Sequence, residues 1–195
     1  MKYRALLLLL LTLCLVGCGK TTDNDTNVTS ETIKADSVET DANSTEPQEP
    51  YVLTFTAPTI DGEEMSSDIL SESKLTMINV WATYCNPCLK EMPDLGEIAA
   101  SYDKADFQLI GIVSDVSDRS SDKEVQNAKD LIAQTQANFP HLLLNESLYM
   151  NLVGAVDSVP TTFFLNNKGE MLGYLIGARD KESWVAIIEE LLQTQ

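Results

Sequence analysis

Along the chain, apolar and polar positions fall into three regimes. Ala5 to Val16 is an apolar run broken only by Thr12. Lys20 to Pro50 is built mainly of Thr, Asp, Asn, Ser and Glu, with Val28, Ile33 and Val38 as isolated large apolar residues. From Tyr51 onward, apolar residues recur at the periods of strands and helices. Tyr51 to Thr56 alternates as a strand does. Ala57 to Gly62 follows with turn chemistry, Asp61-Gly62 being a strong turn pair. Leu75 to Ala82 is a mostly apolar run, as expected of a strand buried on both faces. Cys88 to Tyr102 has helical spacing, with Leu89, Met92, Leu95, Ile98 and Ala99 on one face and a kink expected at Pro93. Phe107 to Val113 reads as a second buried strand, Asp122 to Ala137 as an amphipathic helix with Val125, Ala128, Leu131 and Ile132 inward, and His141 to Leu144 as a third strand. A helical turn follows over Leu148 to Val153. Thr161 to Leu165 and Met171 to Ile176 read as strands joined by the hairpin turn Asn166-Asn167-Lys168-Gly169. Asp180 caps a closing helix to Leu192, with Trp184, Ile187, Ile188 and Leu191 on one side. This order predicts an α/β fold: a parallel core sheet, an antiparallel edge hairpin, and helices on both faces.

Composition narrows the function. The 195 residues are 44% hydrophobic and carry a formal net charge of -17. That balance excludes nucleic acid, whose phosphates need Lys and Arg, and electrostatic docking on anionic lipid. The acidic stretch Asp115 to Asp122 reads as a solvated loop. The four cysteines are Cys14, Cys18, Cys85 and Cys88, so the globular part holds one close pair. A disulfide-stapled scaffold needs several spaced pairs, so this pair points to chemistry.

The N-terminus reads as an address. Lys2 and Arg4 precede an apolar stretch of twelve residues, short of the ~20 a bilayer span needs and suited to an export signal. The segment Leu15-Val16-Gly17-Cys18 resembles the bacterial lipobox, which implies diacylglycerol on the Cys18 thiol and cleavage before it. Two acyl chains hold a protein on a bilayer where one holds it only marginally. An ordinary signal peptide with an incidental Cys and an uncleaved anchor are the alternatives. Lys20 to Pro50 cannot bury enough surface to offset chain entropy and is expected to be a disordered acidic tether. The organisation is then signal peptide 1–17, lipidated tether 18–50 and folded domain 51–195.

Cys85-Asn86-Pro87-Cys88 follows a buried strand and opens a helix. Partial positive charge and free N–H groups at that helix end favour a thiolate. Cys85 should have the lower pKa and attack, and Cys88, one turn in, should resolve the mixed disulfide. Pro87 suits the first turn. Zinc would need two further ligands, whereas His141 is the only histidine and reads as structural. A purely structural disulfide closing so short a loop would contribute little.

These residues carry a resemblance. Asn79 to Pro93 (Asn-Val-Trp-Ala-Thr-Tyr-Cys-Asn-Pro-Cys-Leu-Lys-Glu-Met-Pro) is similar to the active-site segment of the TlpA/ResA-like branch of the thioredoxin superfamily. Ser158-Val159-Pro160-Thr161-Thr162-Phe163-Phe164-Leu165 resembles its second landmark, and Phe55 to Gly62 its N-terminal hairpin. The resemblance spans Tyr51 to Gln195. It implies a thioredoxin-like fold, Cys85 as nucleophile and Cys88 as resolving thiol. It also implies a cis Pro160 that wards off metal and presents Val159 backbone groups to an extended substrate. Trp81, Asn86 and Pro87 are implied at the substrate side, with Trp81 packed beneath the site. Glu91 matches an acidic position that tunes the thiols; its other reading is a solvated first-turn residue. Asn79 stands where thioredoxin has a buried Asp. Asn cannot accept a proton, so a base for Cys88 must be Glu91 or water.

The expected function is a lipid-anchored thiol–disulfide oxidoreductase at the outer face of a bacterial cytoplasmic membrane. It would act as a monomer, with no metal and no cofactor beyond the Cys85–Cys88 disulfide. The family implies thiol and disulfide clients among exported proteins, such as apocytochrome c or a methionine sulfoxide reductase, and a CcdA-type membrane electron donor. Two alternatives stand beside it. A peroxiredoxin wants Thr three residues before its cysteine, where this chain has Ala82. A non-catalytic binding lipoprotein has no need of both thiols.

Overall fold

The computed structural model describes residues 50–194. The expected signal peptide, the lipidation of Cys18 and all but the last residue of the expected tether lie outside them. Within the described residues, the alternation of Tyr51 to Thr56 holds: Leu53 and Phe55 are buried and their neighbours exposed. Residues 51–55 form no regular strand and lie across the tip of a later hairpin. They are held there by Leu53 N–H to Gly169 C=O (2.8 Å) and Met171 N–H to Tyr51 C=O (3.2 Å). The N-terminal hairpin begins where the turn was expected, with β1 (Thr56–Pro58) antiparallel to β2 (Glu64–Ser66). A 3-10 turn over Ser67–Glu72, too short to leave a periodic signal, brings Leu70 into the core.

The main sheet has the order β5-β4-β3-β6-β7, formed by β3 (Leu75–Trp81), β4 (Phe107–Ser117), β5 (His141–Leu144), β6 (Thr161–Asn166) and β7 (Met171–Ile176). β3, β4 and β5 run parallel; β6 is antiparallel to β3, and β7 to β6. All seven residues of central β3 are buried, as its apolar run requires. One face carries Met77, Trp81, Leu109, Val113 and Phe164. It is covered by α1 (Asn86–Ser101), α2 (Asp122–Thr135) and α4 (Lys181–Leu192). The other face carries Ile78, Val80, Ile110, Ile112 and Phe163, covered by Leu53, Phe55, Leu70 and the short α3 (Glu146–Asn151). This is the expected thioredoxin-like arrangement, with its helices unequally divided between the faces.

Helix α1 holds Pro93 in its interior at an exposed position, forgoing the single N–H bond that a proline lacks. One expectation changes. Strand β4 runs past Val113 to Ser117 across a break in its pairing with β5. Asp115 therefore belongs to a strand end and not to a solvated loop.

Candidate active site

Strand β3 delivers the chain to the rim of the sheet, and α1 begins five residues later. Cys85 is the N-cap of α1, and its Sγ accepts from the Cys88 N–H at 3.2 Å. Sulfur thus takes one of the donors that a helix leaves unpaired at its start. The two cysteines are joined as a disulfide with their Cα atoms 5.3 Å apart. Cys85 keeps 5% exposure and Cys88 none. The Val159–Pro160 peptide is cis, and the Val159 carbonyl oxygen lies 3.6 Å from Cys85 Sγ. The two landmarks of the sequence therefore meet across 74 residues of chain.

The turn ahead of Cys85 is pinned from β4. The Asp115 carboxylate accepts from the Thr83 N–H at 3.0 and 3.2 Å and from the Thr83 hydroxyl. Sequence reasoning missed this contact, because Asp115 carries no local sign of its partner. It also missed Tyr84, which is 74% exposed directly before Cys85. Asn86 and Pro87 are exposed on the rim.

Trp81 has no exposed surface, so the expected contact with substrate is corrected: its role lies in the core. Its Nε1–H donates to His141 Nδ1 at 3.1 Å, and His141 Nε2 pairs with the Ala137 carbonyl at 3.1 Å. That pattern requires a neutral imidazole carrying its proton on Nε2. Burial holds the His141 pKa down to about 4. Gly111 makes room for it, since a Cβ there would stand 2.2 Å from Nδ1.

Glu91, one turn beyond Cys88, is 3% exposed, which removes the solvated reading. Asn79 Nδ2 donates to Glu91 Oε1 at 3.1 Å and to Thr162 Oγ1 at 3.1 Å. Glu91 Oε2 accepts from the Arg179 N–H at 3.1 Å and from Trp184 Nε1–H at 3.3 Å. Burial raises the Glu91 pKa, and these donors and the Arg179 charge offset it only in part. The buried carboxylate of this site therefore belongs to α1, while β3 supplies a donor. Such an acid can take and return a proton near the thiols. Among the described residues, no three His, Cys, Asp or Glu side chains are grouped to hold a metal ion.

The AhpC/TSA family model matches residues 51–172. The chain is similar to sporulation thiol-disulfide oxidoreductase A of Bacillus subtilis, at 29% identity over 149 residues, or 76% of this chain and 86% of that protein. It is similar to thiol-disulfide oxidoreductase ResA of Bacillus thuringiensis, at 24% identity over 137 residues, or 70% and 74% of the two chains. Among solved structures, a thioredoxin-family thiol:disulfide interchange protein from Chlorobium tepidum matches with a TM-score of 0.62 at 25% identity, covering 74% of this chain and 97% of that one.

Proposed function

The chain belongs to the AhpC/TSA family and is a thiol–disulfide oxidoreductase of the thioredoxin superfamily, and on that premise we propose that it reduces disulfides of exported proteins while held outside a bacterial cytoplasmic membrane by a lipid on Cys18. The observation that carries the chemistry is the inequality of the two sulfurs: Cys85 is reachable at the α1 N-terminus and Cys88 is sealed. In the dithiol form, the helix end favours a Cys85 thiolate. This thiolate attacks one sulfur of a client disulfide. The client S–S bond breaks, the departing client thiolate takes a proton, and a mixed disulfide forms. Cys88 gives its proton to Glu91 or water and attacks Cys85 Sγ. The mixed disulfide breaks, the second client thiol leaves, and the Cys85–Cys88 disulfide remains. Two electrons pass to the client.

Asn86, Pro87, Val159 and Pro160 frame the client, with the Val159 backbone offered to an extended segment. Electrons return from a CcdA-type membrane thiol transporter, a reading that rests on the resemblance of segments 79–93 and 158–165. Residues 1–17 are removed, 18–50 tether the domain, and the protein works as a monomer without metal or further cofactor.

Insulin reduction with dithiothreitol tests the activity. Turnover should vanish in Cys85→Ser, and peroxide should not be consumed, since Ala82 offers no hydroxyl where peroxidase chemistry wants Thr. Absence of turnover in the native protein would sink the reading. A reduction potential near that of thioredoxin, about -270 mV, fits a reductase, whereas about -120 mV would make it an oxidant. Cys18→Ala should abolish acylation and membrane retention; a variant that keeps both removes the anchor from the proposal.

A further inference from the structure

Glu91 owes its setting to a residue that the thiol chemistry does not otherwise use. Arg179 lies in the turn between β7 and α4. Gly177 enters that turn at φ +90°, a conformation that side chains disfavour, and donates its N–H to the Pro160 carbonyl at 2.8 Å. The turn thus rests against the peptide that faces Cys85. The Arg179 side chain doubles back on it. Nη1 donates to the Gly177 carbonyl at 2.7 Å and to the Ile176 carbonyl at 3.3 Å, and the guanidinium carbon lies 5.2 Å from the centre of the Trp184 ring. With the side chain so held, the Arg179 main-chain N–H and the Trp184 indole N–H meet the same oxygen, Glu91 Oε2. One guanidinium therefore organises both donors of one buried carboxylate oxygen.

The surrounding charges leave Arg179 as the principal lever. On α1, Glu91 has Cys88, Lys90 and Asp94 nearby in the chain; β3 and β6 present neutral Asn79 and Thr162. Asp180 is engaged in capping α4 through the Ser183 N–H at 2.8 Å, and Lys181 pairs with Glu97 at 2.6 Å. Among the described residues, Arg179 forms no ion pair with a carboxylate. Its N–H is the largest influence drawing the Glu91 carboxyl down against burial, and its positive charge adds to that. Glu91 also lines a surface cleft with Pro87, Lys90, Asp94, Arg179 and Asp180.

We propose that Arg179 is a positioning residue for this carboxylate: by clamping the β7–α4 turn onto the Trp184 ring it keeps Glu91 ionisable inside the core, and so sets the pH at which Cys88 can be deprotonated for resolution. The proposal rests on the reading that Glu91 takes the Cys88 proton.

The test uses the reduced full-length protein carrying Cys14→Ser and Cys18→Ser, so that Cys85 and Cys88 are its only thiols, mixed with excess 5,5′-dithiobis(2-nitrobenzoate). The first thionitrobenzoate leaves when Cys85 attacks, and the second when Cys88 attacks Cys85 Sγ, so the second release reports resolution. Its rate is followed against pH. Arg179→Gln should move the midpoint of the second release up by about half a pH unit to one unit, leaving the first unchanged. Arg179→Lys, which keeps the charge and loses the planar fork over the ring, should move it less. Trp184→Phe, which removes one donor, should also move it up. Glu91→Gln should abolish the pH step. If Glu91→Gln abolishes the step while Arg179→Gln retains the native midpoint, Arg179 has no positioning role and the Glu91 reading stands. If both releases slow together with no change of midpoint, the role of Arg179 is structural and the proposal fails. If Glu91→Gln keeps the step, the Glu91 reading fails and the proposal with it. Should Arg179→Gln not fold, the Lys and Phe variants carry the same comparison.

Discussion

His141 offers a sharp test of how this core is held, because the chain has no other histidine. Burial holds its folded pKa to about 4, against an ordinary value of 6.5. Between those values the unfolded chain binds a proton that the folded chain refuses. Stability contributed by the neutral imidazole is therefore fully present above about pH 6.5 and is lost as pH falls toward 4. A difference of about 2.5 units, at ~1.4 kcal/mol per unit, corresponds to about 3 kcal/mol. The structural cause is specific. An imidazolium would have to donate from Nδ1, where Trp81 Nε1–H already donates at 3.1 Å, and the ring is 2% exposed. Urea unfolding of the native protein and His141→Gln, each at a series of pH values from neutral to acid, isolates the effect. Carboxylates that titrate in the same range act on both proteins and cancel in the difference. The native protein should lose about 3 kcal/mol more than the variant across the range. The single histidine resonance should stay in its neutral position until the protein nears unfolding. Parallel stability curves, or a resonance titrating near 6.5, would refute the account of a neutral imidazole locked under Trp81.

Other consequences are simpler to measure. Glu91 acts with the opposite sign to His141: its raised pKa means that stability is present below about 4.5 and is lost as pH rises through the folded value. Glu91→Gln should therefore gain on the native protein in urea as pH rises toward neutrality. Gly111→Ala would drive a Cβ to 2.2 Å from His141 Nδ1, and should cost ~1–3 kcal/mol or more in chemical denaturation. Asp115→Ala frees the Thr83 N–H and hydroxyl ahead of Cys85. It should cost ~0.5–1.5 kcal/mol, because the site is exposed, and should slow insulin reduction; an unchanged rate would show that the turn is rigid without it.

The local pattern alone sufficed for the elements that bear the site. The continuous apolar run of β3 announces a strand buried on both faces, and the spacing of Met92, Leu95 and Ile98 announces α1. The close Cys85/Cys88 pair at their junction announces the chemistry, because a helix N-terminus acts on whatever begins it. Weak signals failed where elements are short or ends are set by neighbours: the 3-10 turn at Leu70, the displacement of β1, and the extension of β4 past Val113. Glu91 could be read both ways, since a residue three beyond Cys88 faces solvent or core according to what packs on α1.

Only the assembled fold decides the rest. Asp115 reaches Thr83 across 32 residues, Trp81 reaches His141 across 60, and Arg179 reaches Glu91 across 88. Each contact joins residues whose own neighbours give no hint of the partner. A chain can write a period, a cap or a motif into adjacent letters. The burial that raises the Glu91 carboxyl and lowers the His141 imidazole comes from distant segments closing over them. The sequence by itself therefore determined the close cysteine pair at a strand–helix junction, and the tertiary structure decided which of the two keeps exposure and that Glu91 is buried one turn beyond them.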